Sequence, residues 1–146
     1  MEYIAAYGTL KAPEIIAALL GRTVDAVAGT VDGFASRALE GYEFPGAIEC
    51  TKGSLDVLVV GPLTEAEIRS LDDYEGSFYD MRSVTAMVPA APGSAPVICA
   101  MWVLSDAGRD VPAVLGEWDF DHWRVVYLES TLREITALSP VPPTFD

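Results

Sequence analysis

Cysteine is scarce: Cys50 and Cys99 are the two present among 146 residues. Two thiols build no disulfide framework, and without a C-x-x-C they form no structural zinc site. His122 is the single histidine, which excludes a multi-histidine metal centre. Positive charge is thin as well. Nine Lys+Arg stand against 22 Asp+Glu, a formal net charge of −13. A surface that acidic repels phosphate backbones and anionic lipid heads, which argues against nucleic acid and membrane partners. No apolar run approaches the ~20 residues that span a bilayer. The start, Met1-Glu2-Tyr3-Ile4, lacks the basic and apolar regions of a signal peptide. The expected location is the cytoplasm, with both thiols reduced. Several chemical signatures are missing too: no G-x-S-x-G nucleophile elbow, no P-loop and no G-x-G-x-x-G opening a helix. A pairing of Cys50 or Cys99 with His122 is formally open. Both cysteines lie in apolar, strand-like stretches, where inert thiols are the commoner outcome.

What is present is a globular composition, 51% hydrophobic and 21% charged, in a length that suits one domain. We expect that domain to span residues 1–138, with a Pro-rich tail over 139–146. Tyr3 to Tyr7 reads as a buried first strand ending at Gly8. Pro13 suits the first position of a helix that runs to Leu20, with Glu14 in its first turn and Gly21 at its end. Val24 to Leu39 is strand-like but broken by Gly29 and Gly33. Ile48–Thr51 and Leu55–Val60 read as two strands joined by a hairpin turn at Lys52-Gly53, the second stopped by Gly61-Pro62. Thr64 and Glu67 form a T-x-x-E capping box, so a helix runs from there to about Tyr74. Tyr79–Val88 and Val97–Leu104 are strands, with loops at Pro89–Pro96 and Ser105–Gly116. A last helix starts near Asp119. The order predicts an α+β fold in which strands dominate and close into a small mixed barrel flanked by helices.

Two clusters stand out. Tyr7-Gly8-Thr9-Leu10 closes the first strand just before a helix. Gly8 permits a tight turn and close backbone approach, and the N–H groups that follow suit an anion. An ordinary strand-to-helix turn has the same composition. In Leu71-Asp72-Asp73-Tyr74-Glu75-Gly76, Glu75 extends the apolar stripe of Ile68 and Leu71 at helical spacing. An inward carboxylate there has a raised pKa and can serve as acid and base in turn. Three acids also crowd a helix C-terminus, where the macrodipole favours cations. A solvated acidic helix end is the other reading of the same residues.

In this order and separation, the segments resemble the γ-glutamylcyclotransferase-like family, in the branch named after avirulence-induced proteins. Tyr7-Gly8-Thr9-Leu10 matches Y-G-[ST]-L. Leu71 to Gly76, then Tyr79, Arg82 and Val84, match L-D-x-[FY]-E-[GD]…Y…R…V. Phe44-Pro45-Gly46-Ala47-Ile48 and the stretch from Gly116 to Trp123 are similar to further segments of the branch. Two departures are Met81, where a second basic residue is common, and Gly46, where Ala is more usual. The resemblance implies a small β-barrel and an enzyme that turns a γ-glutamyl amide or amine into 5-oxoproline and a free amine. It implies Glu75 as the catalytic carboxylate and Tyr7, Gly8, Thr9 and Leu10 as the backbone cradle. Tyr79 and Arg82 are further substrate-contact candidates. The partner is then a small γ-glutamyl molecule, with no cofactor and no metal. Two other readings use the same residues: a binding protein that captures a γ-glutamyl or other carboxylate without turnover, and a protein-binding surface built on Trp118 and Trp123. The loops at 89–96 and 105–116 are the candidates for a lid over the site.

Overall fold

The structure is a computed structural model that describes residues 2–90, 92–112 and 118–138. Strand β1 (Glu2–Ala6) leads through a one-turn 3-10 segment (Thr9–Lys11) into helix α1 (Pro13–Leu20). Strands β2 (Ala26–Ala38) and β3 (Pro45–Leu63) follow, then α2 (Glu65–Glu75), β4 (Tyr79–Ala90), β5 (Gly93–Leu104), the short α3 (Asp106–Arg109) and α4 (Phe120–Leu138). The five strands close into a barrel in the order β1-β3-β2-β4-β5. The β1–β5 seam is parallel, through Tyr3↔Cys99 and Ile4↔Ala100, and the other pairings are antiparallel. The expected α+β mixed barrel is therefore the architecture found.

Strand periodicity sorts side chains into two cores. Ala5 and Tyr7 of β1, Val57 and Val59 of β3, and Cys99, Met101 and Val103 of β5 fill the barrel. The alternate residues Ile4, Ala6, Val60 and Trp102 face outward and meet Ile15 and Ile16 of α1, Ile68 and Leu71 of α2, and Trp123 and Ile135 of α4. β5 is thus buried on both faces at its C-terminal end, which explains its unbroken apolar run.

The helix limits follow their signals. Pro13 opens α1, and Gly21 closes it in a left-handed conformation (φ 74°) that glycine adopts without strain. Thr64 caps α2: its side chain accepts from the Glu67 N–H, and Glu67 accepts from the Thr64 N–H.

The strand expectations need correction. β2 is continuous through Gly29 and Gly33. β3 is one strand of 19 residues, with no hairpin at Lys52-Gly53 and no stop at Gly61-Pro62. Both halves of β3 pair with β2, and the register slips between Asp32↔Ser54 and Phe34↔Glu49. That slip is a bulge. Gly33 takes φ 89° there, and a Cβ on Gly53 would sit 2.4 Å from the Phe34 carbonyl oxygen. These glycines mark close backbone approach rather than a chain reversal. The Pro89–Pro96 loop is instead the end of the β4–β5 ribbon, paired as Pro89↔Ser94 and Ala90↔Gly93. Ser105–Gly116 begins as α3, capped by Ser105, and its residues 113–116 lie outside the described residues. The tail expected over 139–146 lies outside them as well.

Candidate active site

A cavity of about 230 Å³ opens where the end of β1 meets the end of α2. Tyr7, Gly8, Thr9, Leu10, Tyr74, Glu75 and Tyr79 all line it. The turn and the acid singled out in the sequence therefore share one space. Arg82 does not line it. That residue points from β4 toward Glu49, with which it forms an ion pair, and lies over the Phe34 ring.

The turn is held by short-range bonds. Lys11 and Ala12 donate to the carbonyls of Gly8 and Thr9 at 3.0 and 3.1 Å, leaving the N–H groups of Gly8, Thr9 and Leu10 ahead of the first of these bonds. A Cβ on Gly8 would stand 3.2 Å from Pro45, so glycine lets the turn lie against the start of β3. The Tyr7 side chain enters the barrel. Its hydroxyl donates to the Trp102 carbonyl at 2.5 Å and accepts from the Ala47 N–H at 2.9 Å. Burial, and then the Glu75 charge, push its pKa upward. The Tyr79 hydroxyl donates to the Pro45 carbonyl at 2.6 Å, tying β4 to the same corner.

Glu75 is the last residue of α2. Gly76 follows with φ 74°, a left-handed bend that turns the chain into β4. Ser105 pins this bend: its N–H donates to the Phe78 carbonyl at 3.0 Å, and its hydroxyl to the Ser77 carbonyl at 2.8 Å. Among the described residues no Lys or Arg lines the cavity. Loss of water around the Glu75 carboxyl, and then the neighbouring Asp72 charge, push its pKa up to about 8. Of the two sequence readings, the inward carboxylate is the one the geometry supports. Tyr74, beside it, is pushed up to about 12, chiefly by burial.

The remaining walls were not expected from the sequence to line the site, although Phe44 and Pro45 belong to a segment that resembles the family. Glu43, Phe44 and Pro45 come from the β2–β3 connection and the start of β3. Thr131 and Glu134 come from α4, and Trp102 from β5. Phe44, Phe78 and Tyr79 belong to an aromatic cluster with Tyr42, with ring centroids 5.0 to 6.1 Å apart. Glu43, which lines the cavity together with Glu134, is raised in pKa by burial and then by the Glu134 charge. Polar residues are spread along α4, so nothing in the sequence marked Thr131 and Glu134 apart from the rest. Of the two candidate lids, no described residue of 89–96 or 105–116 lines the cavity.

The competing chemistries lose their support here. Cys99 is buried in the barrel with its thiol pushed up to about 11 by desolvation, a protonated and unreactive state. Trp123 is buried and Trp118 donates to the Glu43 carbonyl at 2.8 Å. With Phe120 they form an internal aromatic cluster, so they offer no exposed docking patch. Among the described residues no three His, Cys, Asp or Glu side chains gather as metal ligands, and no helix is long and apolar enough to cross a membrane.

A closed five-stranded barrel whose cavity brings the Glu75 carboxyl and a glycine turn together defines the class. Residues 4–120 match the family model described as gamma-glutamyl cyclotransferase, AIG2-like, and the chain belongs to that family. It is 30% identical over 123 residues to Protein AIG2 C of Arabidopsis thaliana, covering 84% of this chain and 72% of that one. AIG2-like protein C of the same plant is 31% identical over 118 residues, covering 81% and 66%. Among solved structures, a solution structure of an Arabidopsis thaliana protein superposes with a TM-score of 0.69 at 28% identity, over 97% of this chain and 85% of that one. A gamma-glutamyl cyclotransferase shares the fold at a TM-score of 0.63 and 11% identity, over 99% and 92%.

Proposed function

We propose that the protein cyclises γ-glutamyl amides or amines, releasing 5-oxoproline and a free amine. The observation that carries this reading is the Glu75 carboxyl, raised to about 8 and facing the Tyr7–Leu10 turn across one cavity. Family membership supports a cyclotransferase-type enzyme.

The reaction needs no protein nucleophile. The substrate's α-ammonium gives one proton to Glu75 and its nitrogen attacks the γ-carbonyl. As the lactam C–N bond forms, that nitrogen sheds a second proton. Both protons reach the leaving nitrogen, delivered through Glu75, and the amine departs as an ammonium ion when the original C–N bond breaks. The turn's N–H groups hold the glutamyl carboxylate or the developing oxyanion, a role worth roughly 2–4 kcal/mol. Folding the glutamyl chain inside a small cavity supplies effective molarities of roughly 10⁵ M or more. Glu43 and Glu134 at the rim, with no basic residue beside them, favour an amine leaving group over one that carries a carboxylate.

Glu75→Gln keeps the shape of the side chain and removes its basicity. We expect this variant to fold and to lose at least a hundredfold in 5-oxoproline release, followed by chromatography on γ-glutamyl amines. Turnover at the wild-type rate defeats the assignment.

A further inference from the structure

Asp72 sits one helical turn before Glu75, on the same side of α2. Its carboxylate is not left free in solvent. The Trp102 indole N–H donates to Asp72 Oδ1 at 2.8 Å, and Trp102 itself lines the cavity and accepts the Tyr7 hydroxyl through its carbonyl. The indole thus clamps a negative charge within reach of the reacting acid. A second acid here costs stability on two counts: it repels Glu75, and it stands at the negative end of the helix dipole. Satisfying an indole N–H does not require a charge, because an amide or hydroxyl oxygen accepts the same bond. The charge itself is what the arrangement keeps.

The other titratable groups around Glu75 do not balance it. Tyr74 neighbours it on α2, Tyr7 comes from β1, Tyr79 from β4, Glu43 from the β2–β3 connection and Glu134 from α4. Asp73, the remaining acid of the helix end, is exposed. None of these groups is cationic near neutral pH.

We propose that Asp72, clamped by the Trp102 indole, is a positioning residue that acts on the reaction through the Glu75 carboxyl. The proposal rests on the cyclotransferase reading of the site. It predicts that the neutral replacement at position 72 makes Glu75 a stronger acid and a weaker base.

The test follows the Glu75 carboxyl carbon by NMR in protein labelled at glutamate, its signal assigned by loss in Glu75→Gln. Asp72→Asn and Asp72→Ser both leave an oxygen for the indole. In either, the Glu75 midpoint is expected to fall by about one pH unit, and the acid limb of the kcat/KM profile for 5-oxoproline release to move down with it. An unchanged midpoint in the folded variants overturns the proposal. So does unfolding of both, which assigns Asp72 to the fold. A midpoint that falls in a protein releasing no 5-oxoproline from any γ-glutamyl amine keeps the charge link and overturns the cyclotransferase reading instead.

Discussion

Glu75 is held where ionisation is unfavourable, and that has a consequence for stability. Its pKa in the folded chain, about 8, lies above the ordinary 4.5. The folded state therefore binds this proton more tightly than the unfolded one. The stabilisation is complete below about pH 4.5 and is lost as pH rises through about 8. Glu75→Gln, which never ionises, is expected to gain about 2 kcal/mol on the wild type between pH 5 and pH 9, a figure reduced for the open side of the cavity. Urea unfolding at the two pH values measures it, and an equal difference at both sinks the idea of a desolvated acid. Tyr7 makes the opposite case. Its hydroxyl serves two buried backbone groups at once, on β3 and β5. Tyr7→Phe strands both and should cost about 2–4 kcal/mol, read as a drop in the urea midpoint. Glu75 stands out in the sequence as an acid on an apolar stripe, whereas Tyr7 breaks no local rule and is marked by the match to Y-G-[ST]-L. Gly46 does not stand out. A Cβ there would lie 2.4 Å from Leu104, so the departure from the usual Ala is matched by a large neighbour from β5, a long-range contact that spacing along the chain does not reveal.

Among the elements, the helices are the most legible. Their signals are local: Pro13 and Gly21 around α1, Thr64 and Glu67 at the head of α2. Thr64→Ala removes the acceptor of the Glu67 N–H and should cost about 1 kcal/mol, seen as a lower Tm by circular dichroism. A loss under a few tenths would mean that the helix start is held by the Arg22–Glu67 pair (2.8 Å) instead. The strands are harder to read. Glycine and proline mark turns in most sequences, but in β2 and β3 they mark a bulge, and in the β4–β5 ribbon Pro89 occupies a paired position. Which of these applies depends on the partner strand, and residues 33 and 53 say nothing about that on their own. The cavity's outer wall was unread for the same reason, since Glu43, Thr131 and Glu134 meet only after the barrel has closed.

For the whole molecule the dominant quantity is the charge of −13. Five arginines are engaged in ion pairs, with Glu67, Glu65, Glu49, Glu14 and Glu129, and these exposed pairs contribute little. The surplus acids repel one another over a range that salt shortens from roughly 30 Å at 0.01 M to roughly 8 Å at 0.15 M. We expect Tm at pH 7 to rise by a few degrees across that interval. A fall would show that the ion pairs outweigh the repulsion.

The construction of the cavity divides it between two parts of the chain. Glu75 and the glycine turn lie inside the span 4–120 that matches the family model, whereas Thr131 and Glu134 ride on the helix beyond it. On the proposed reading, changes confined to that helix alter which leaving groups fit while Glu75 and the turn stay as they are, so selectivity can drift without new chemistry.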